Sequence, residues 1–251
     1  MMLDADQTLL EMKNLMLSEI PHEEDFLFFR QLDELGKSVV FLDVGANSGQ
    51  SAISFLMSCR NGFVISFEPN ILYEKVLVGI QKFLSEERFV FHMYGLSDVE
   101  SDLDLYIPHV DGVPYMQEAS LTLAQFEKQW VRDRFKSYGT KLEIVSVRAN
   151  FKIADEMVEQ ADVVKIDAEG AEMSVLRGMR GIIQSNPPIF LIENNDWKSV
   201  TEYLRMYGYD VYRYDKAADA LLPMSGTTTN CFYLKPEHFD RFKIKLGKTD
   251  V

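Results

Sequence analysis

The side chains best suited to chemistry in this chain are carboxylates that close apolar runs. Asp167 ends Val163-Val164-Lys165-Ile166-Asp167, and Glu193-Asn194 ends Phe190-Leu191-Ile192-Glu193-Asn194. Glu169 and Glu172 follow Asp167 around Gly170. A carboxylate at a strand end can take the proton of a hydroxyl as general base. An Asp, a Glu and an Asn on adjacent strand ends make a hard oxygen set of the kind Mg²⁺ takes. Asp167, Glu193 and Asn194 are therefore the candidate metal ligands. Asp167, Glu169 and Glu193 are the candidate catalytic groups, with Glu169 the preferred base if no metal binds. Plainer roles stand beside these. Glu169 and Glu172 also suit a helix N-terminus, Asp167 suits contact with a ligand's ammonium group, and Glu193 suits the wall of a cleft. Of the four histidines, His109 is placed to reach an acceptor and Tyr115, Met116 and Trp130 to line its pocket, with packing as the plainer role for each.

A second group of residues points to the ligand these carboxylates would serve. Val39 to Val44 is an apolar run broken only by Asp43, and it leads into Gly45-Ala46-Asn47-Ser48-Gly49-Gln50-Ser51. Strand, Gly-rich loop and helix form the nucleotide-binding corner of a doubly wound α/β domain. A dinucleotide fingerprint counted from Gly45 needs Gly at positions that here hold Asn47 and Gln50, and no P-loop Lys-Ser/Thr follows. The loop therefore suits a nucleoside with an amino-acid tail, the shape of S-adenosylmethionine, better than a pyrophosphate. Glu68, closing the next strand in Ser66-Phe67-Glu68-Pro69, is placed to accept both hydrogen bonds of a ribose diol.

The elements that must position these groups alternate. Strands are expected at Val39–Asp43, Phe63–Phe67, Arg88–Tyr94, Ala161–Ile166 and Pro188–Glu193, with helices at Gly49–Cys59, Ile71–Ser85, Ala171–Gln184 and Trp197–Tyr207. Two final strands are expected at Tyr209–Tyr214 and Asn230–Leu234, joined by a polar loop. Residues 98–150 break the rhythm. They read as an insertion on the substrate side, with a turn at Gly95–Asp98, a half-buried strand through Leu103, Leu105 and Ile107, and an irregular loop marked by Pro108, Gly112 and Pro114. A helix over Leu121–Tyr138 and a strand over Leu142–Val147 complete it. Two helices precede the first strand, Asp4–Ile20 and His22–Leu35. Edge cover for the sheet is their first expected use, closure over the site and a homodimer contact the others. The expected domains are an N-terminal helical extension (1–37), a catalytic domain (38–236) and a C-terminal tail (237–251).

Composition bounds the partners. The chain has 251 residues and a net charge of −13, which repels a phosphate backbone and disfavours nucleic acid. No apolar run approaches the roughly 18 residues of a membrane span. The N-terminus lacks the pattern of a signal peptide, and the two cysteines, Cys59 and Cys231, make no disulfide framework. A cytoplasmic protein whose partner is neither nucleic acid nor membrane is the resulting expectation.

Phe41 to Gln50, Phe67-Glu68-Pro69 and Lys165-Ile166-Asp167-Ala168-Glu169-Gly170-Ala171-Glu172 together resemble the FkbM-type methyltransferases, over about residues 38 to 235. The resemblance implies a class I methyltransferase fold, Rossmann-like and doubly wound, with a mostly parallel seven-stranded sheet. It implies S-adenosylmethionine as donor and a hydroxyl of a sugar, glycan or small natural product as acceptor. Carried over by position, Asp43, Gly45, Asn47 and Gly49 hold the methionine part, with Gln50, Ser51 and Asp167 adjoining. Glu68 and Pro69 take the ribose, and Leu96, Ser97 and Asp98 lie beside adenine. The Asp167, Glu193 and Asn194 set also looks like the metal site of catechol-type O-methyltransferases. Ala119-Ser120-Leu121 matches a small motif of the family's insertion, whereas Ala149-Asn150-Phe151 departs from it. Two rivals remain: a nicotinamide-dependent oxidoreductase on the same architecture, and a non-catalytic protein that binds S-adenosylmethionine.

Overall fold

A computed structural model describes residues 5–85, 87–224 and 228–247. The chain begins with α1 (Ala5–Ser18), a 3₁₀ stretch (Glu24–Phe29) and the short α2 (Arg30–Asp33). Three strand units follow: β1 (Val39–Val44) and α3 (Gln50–Ser58), β2 (Gly62–Phe67) and α4 (Glu74–Leu84), then β3 (Phe89–His92). The insertion comprises β4 (Gly95–Ser97), β5 (Ser101–Val110), β6 (Val113–Pro114), α5 (Gln129–Lys136) and β7 (Leu142–Ile153). The regular pattern resumes with α6 (Ala154–Met157), β8 (Val163–Ile166), α7 (Glu172–Gly178), α8 (Arg180–Ser185), β9 (Ile189–Glu193) and α9 (Trp197–Arg205). It ends with β10 (Asp210–Asp215), β11 (Ala220–Pro223), β12 (Asn230–Leu234) and α10 (Pro236–Phe242).

The main sheet runs β11-β10-β12-β9-β8-β1-β2-β3. The five strands from β9 to β3 are parallel, and β12, β10 and β11 pair antiparallel beyond them. The chain leaves β1 toward β2 on one side and returns through β8 on the other. The crevice at the carboxyl ends of β1 and β8 is thus the switch point at which such sheets bind ligands. The sheet has eight strands where seven were expected. The extra one, β11, lies in the stretch read as a polar loop. Ala220, Leu221 and Leu222 are buried there, and four residues between Asp219 and the polar segment beyond Pro223 are too few to show alternation.

The parallel strands are apolar on both faces because both are covered. One face carries Phe41, Val163 and Leu191, and the other Leu42, Val164 and Phe190. The N-terminal segment covers the first face rather than an edge, which corrects the first expectation for it. Phe28 and Phe29 sit on Phe232 and Phe55 at ring-centroid distances of 4.8 and 5.2 Å. Phe26 and Phe29 are three residues apart, a spacing that the three-residue turn of a 3₁₀ helix eclipses, so this stretch is 3₁₀ and not the α-helix expected. Helix α1 packs outside α3 and α4 through Leu9, Met12, Leu15 and Met16. Neither terminal segment stands apart from the core: Phe242 and Ile244 are buried, and Leu246 bridges to Leu221.

The insertion is a second sheet in the order β4-β7-β5-β6, with β5 and β7 antiparallel from Ser101 opposite Phe151 to Val110 opposite Leu142. Gly95–Ser97 is therefore a strand and not a turn. Pro108 lies within β5, where its carbonyl still accepts the Tyr115 N–H at 2.8 Å. The helix expected over Ala171–Gln184 is two helices. The Asp155 carboxylate takes the N–H groups of Gly181 and Ile182 (2.6 and 3.0 Å) and so caps α8 afresh. No helix among the described residues is long and apolar enough to cross a membrane.

Candidate active site

The loop after β1 is built for close approach. Gly45 has φ +87°, and a Cβ there would lie 1.8 Å from the Asp167 carbonyl oxygen, so only glycine lets β1 and β8 diverge with their loops in contact. The Gly45 and Ala46 N–H groups donate to Phe67 O. Asn47 adopts φ +50°, and its own side-chain oxygen accepts the Ser48 N–H at 2.7 Å. Ser48 Oγ in turn donates to Gln50 Oε1 at 2.5 Å. The Ser48 amide is thus already occupied by the Asn47 side chain.

Glu68 is the pivot of the site. It is buried, and its two carboxylate oxygens accept the N–H groups of Asn47 and Asn70, each at 2.7 Å. Burial pushes its pKa up to about 7 against the opposing pull of those two amides. It borders a cleft at the carboxyl ends of the parallel strands. Leu96, Leu105, Leu121 and Phe151 give one part of that cleft an apolar wall, while Asn47, Glu68, Asp167 and Glu169 give the other a polar one. An apolar slot beside a buried carboxylate fits the base and ribose of a nucleoside, and the polar end fits a charged tail. Gly45 and Pro69 also line it.

Other expected cofactor residues do not border this cleft. Asp43 is fully buried, accepts the Ser66 Oγ at 2.9 Å, and faces Lys165 on the next strand in register. Gly49 caps α3 and lets α4 approach, since a Cβ there would lie 2.7 Å from Ile80 Cδ1. Ser51 is buried in α3, and Gln50 faces a neighbouring cavity beneath α1. Ser97 and Asp98 turn toward α7, where Arg177 Nε donates to Asp98 Oδ2 at 2.8 Å. Leu96 is the residue of that trio that reaches the cleft.

Lys165 is the central charge. Its ammonium lies 3.0 Å from Asp167 Oδ2, with Asp43 beside it. Burial alone would raise the Asp167 pKa, but the Lys165 charge and a hydrogen bond from Glu193 hold it below its ordinary value. Burial and that shared hydrogen bond push the Glu193 carboxyl up, so Glu193 keeps the proton of the pair. His22, from the N-terminal segment, accepts or shares a hydrogen bond with Ser54 Oγ at 2.8 Å. Burial, with Lys165 near, lowers its pKa to about 4.

The proposed metal set does not fit this geometry. Asp167 already carries the Lys165 ammonium. Asn194 donates its Nδ2 to Thr228 O at 2.7 Å, and Glu193 is held by Asn195 Nδ2 at 2.7 Å. Among the described residues no three His, Cys, Asp or Glu side chains converge to hold a metal ion. The strands that lead to Asp167 and Glu193 are neighbours, as expected, and the lysine against Asp167 was not part of that expectation.

Glu169 stands where the cleft meets the insertion. Its φ of +49° precedes Gly170 at +97°, an uncommon pair that turns the side chain out of the strand line. Burial, then the charge of Asp167, raises its pKa to about 7. Glu172 has the structural part instead: it is buried, and its Oε1 accepts the Gly170 N–H at 3.0 Å and Asn195 Nδ2 at 3.3 Å. His109 is placed in β5 opposite Pro114 and Glu143, away from the cleft lining, and Tyr115 stacks on Tyr138 at 5.1 Å.

Residues 43–211 match the family profile described as the methyltransferase FkbM domain. The chain belongs to that family. The fold is the mixed α/β fold of class I S-adenosylmethionine-dependent methyltransferases. An FkbM methyltransferase from Methylobacillus flagellatus aligns with a TM-score of 0.51 at 16% identity, covering 78% of this chain and 43% of that one. The chain thus spans less than half the length of that protein. An S-adenosylmethionine-dependent O-methyltransferase from Thermotoga maritima aligns at 11% identity and TM-score 0.46, covering 97% and 73% of the two chains. A precorrin-6Y C5,15-methyltransferase from Geobacter metallireducens aligns at 13% and 0.44, covering 85% and 87%. A search of curated proteins gives no significant match.

Within this FkbM domain, sequence reasoning passed over Asn70, Tyr73, Leu105 and Phe151, all of which border the cleft. Phe151 had been set aside as part of a departure from the family pattern. Its ring packs on Gly95, where a Cβ would lie 2.4 Å from Cε1, and so closes the apolar slot. The signal was available in principle: an aromatic at the end of a long alternating strand, opposite a glycine.

Proposed function

We propose that this protein is an S-adenosylmethionine-dependent O-methyltransferase acting on a hydroxyl of a sugar, glycan or small natural product. The observation that carries this reading is Glu169, a carboxylate with pKa about 7 at the junction of the nucleoside-shaped cleft and the insertion. S-Adenosylmethionine, when bound, supplies a methyl group already activated on a sulfonium. The residues then have two tasks, to position and to remove a proton.

Glu68 accepts the hydroxyls of the ribose diol on the lone pairs left by Asn47 and Asn70. Leu96 and Phe151 take the base. Asp167, oriented by Lys165, faces the cationic end of the donor. Glu169 takes the proton of the acceptor hydroxyl, and its raised pKa makes it a better base than an ordinary carboxylate at neutral pH. Net acidity around the cleft also favours a cationic donor over an anionic dinucleotide.

Calorimetric titration with S-adenosylhomocysteine and with NADH tests the reading, since the first should bind and the second should not. Transfer of labelled methyl from S-adenosylmethionine to hydroxylated acceptors, with the product characterised as an ether, tests the chemistry. Binding of NADH alone would replace this reading with the oxidoreductase.

A further inference from the structure

The insertion holds a second, polar pocket, joined to the donor cleft through Ala119 and Glu169, which border both. Its far wall is Trp130, with Gln125, Ser120 and the Glu118–Arg134 ion pair around it. Trp130 is 59% exposed. It is not needed for the insertion's own core, which Phe126, Val131 and Phe135 already make with Tyr115. An indole left open beside side-chain amides, a hydroxyl and a paired guanidinium combines an apolar platform with hydrogen-bonding groups of both signs. A planar aromatic acceptor would call for an apolar slot. A polyol ring, with C–H faces for the indole and hydroxyls for the rim, matches this wall.

We infer that Trp130, Gln125 and the Glu118–Arg134 pair form the acceptor subsite, and that it seats a pyranose ring with one hydroxyl directed at Glu169. This rests on the methyltransferase reading above and adds the location and the chemistry of the acceptor pocket. Arg134 is fixed by Glu118 and also donates from Nε to Tyr138 Oη at 3.3 Å, so the rim is ordered before the ring arrives.

The chain has two tryptophans, Trp130 and Trp197. Trp197→Phe leaves Trp130 as the only indole, and its emission reports the pocket. The protein is first titrated with S-adenosylhomocysteine by calorimetry. The saturated complex is then titrated with methyl glycosides of glucose, galactose, mannose, rhamnose and fucose, and with catechol. The expected result is a saturable change in Trp130 emission with at least one glycoside and none with catechol. Trp130→Ala should weaken that glycoside by about tenfold or more by calorimetry, while Trp130→Phe keeps most of the affinity and both leave S-adenosylhomocysteine binding within about twofold. Binding of catechol without any glycoside would overturn the ring chemistry, and equal glycoside affinity in Trp130→Ala would overturn the location. Failure of S-adenosylhomocysteine itself to bind would instead bring down the methyltransferase reading, and this inference with it.

Discussion

Lys165 Nζ lies 3.0 Å from Asp167 Oδ2 at the carboxyl edge of the parallel sheet, with the lysine side chain only 4% exposed. Its register partner on β1 is Asp43, whose Oδ1 is buried and has no hydrogen-bond partner among the described residues. One buried cation therefore serves two carboxylates on adjacent strands. Removing one member of such a group leaves an uncompensated buried charge, which costs far more than the intact group contributes. Lys165→Met should lower stability by about 3–5 kcal/mol in urea unfolding, and Asp43→Asn in the same background should restore part of the loss. An unchanged midpoint in Lys165→Met would contradict this account of the cluster.

The same lysine already supplies a cation beside Asp167, and Asn194 Nδ2 donates to Thr228 O. Methyl transfer after exhaustive chelation should equal that of untreated protein, and added Mg²⁺ should not raise it. A drop on chelation that Mg²⁺ reverses would show that the carboxylates rearrange to admit a metal.

Gly45 and Gly112 offer a matched pair. Both have positive φ, +87° and +83°, but a Cβ at Gly45 would meet the Asp167 carbonyl at 1.8 Å, while nothing lies within 4 Å of one at Gly112. Left-handed conformation alone costs a non-glycine residue about 1–2 kcal/mol. Gly112→Ala should cost about that much in unfolding experiments. Gly45→Ala should cost more and should also weaken S-adenosylhomocysteine, because β1 and β8 must part at the cleft. Similar losses in the two variants would mean that the loop yields without disturbing Asp167.

These contrasts explain what could be read before the fold was known. Gly45, Glu68 and Asp167 were legible because strand-end position and residue type together imply a role at the switch point of such a sheet. Lys165 sat in plain view within Val163-Val164-Lys165-Ile166, but its role depends on Asp43 lying beside it. That neighbour follows from strand order, which periodicity does not contain. Phe151 needed the β5–β7 register, and β11 is too short to alternate. Ser97 and Asp98 were carried over by position, yet Arg177 on α7 draws Asp98 away, an ion pair spanning 79 positions along the chain.

Several acids in the site are held above their ordinary pKa, and the sign of the pH dependence follows. Glu68 and Glu169 are each raised from 4.5 to about 7, and Glu193 is raised as well. Below 4.5 these groups are protonated in both states, and their contribution to stability is complete. Between 4.5 and the folded values the folded protein holds protons that the unfolded chain has already released, so stability falls across that interval and is level above it. His22, lowered from 6.5 to about 4, works the opposite way but only between those two values. The melting temperature of ligand-free protein should therefore decline from about pH 5 to about pH 8 and level above that, measured by calorimetry at constant ionic strength. A flat or rising profile would mean that these carboxyls are solvated in the free protein.

In the proposed reading Glu169 takes the acceptor's proton and leaves donor binding to other groups. It borders both the donor cleft and the Trp130 pocket, and burial with the nearby Asp167 charge sets its pKa at about 7. A base acts when deprotonated, so the rate at saturating donor should climb with pH through about 7 and then level. Glu169→Gln keeps the size and polarity of the side chain but cannot take a proton. Turnover should fall by about 10²–10⁴ and lose the pH step, the range expected for one general base. In the proposed reading the ribose contact falls to Glu68, so S-adenosylhomocysteine affinity should stay within about twofold of the parent. Loss of that affinity with the turnover would reassign Glu169 to the donor pocket. Retained turnover with the pH step intact would place the base elsewhere, and Glu193, which holds the proton of its pair with Asp167, would be the next residue to change.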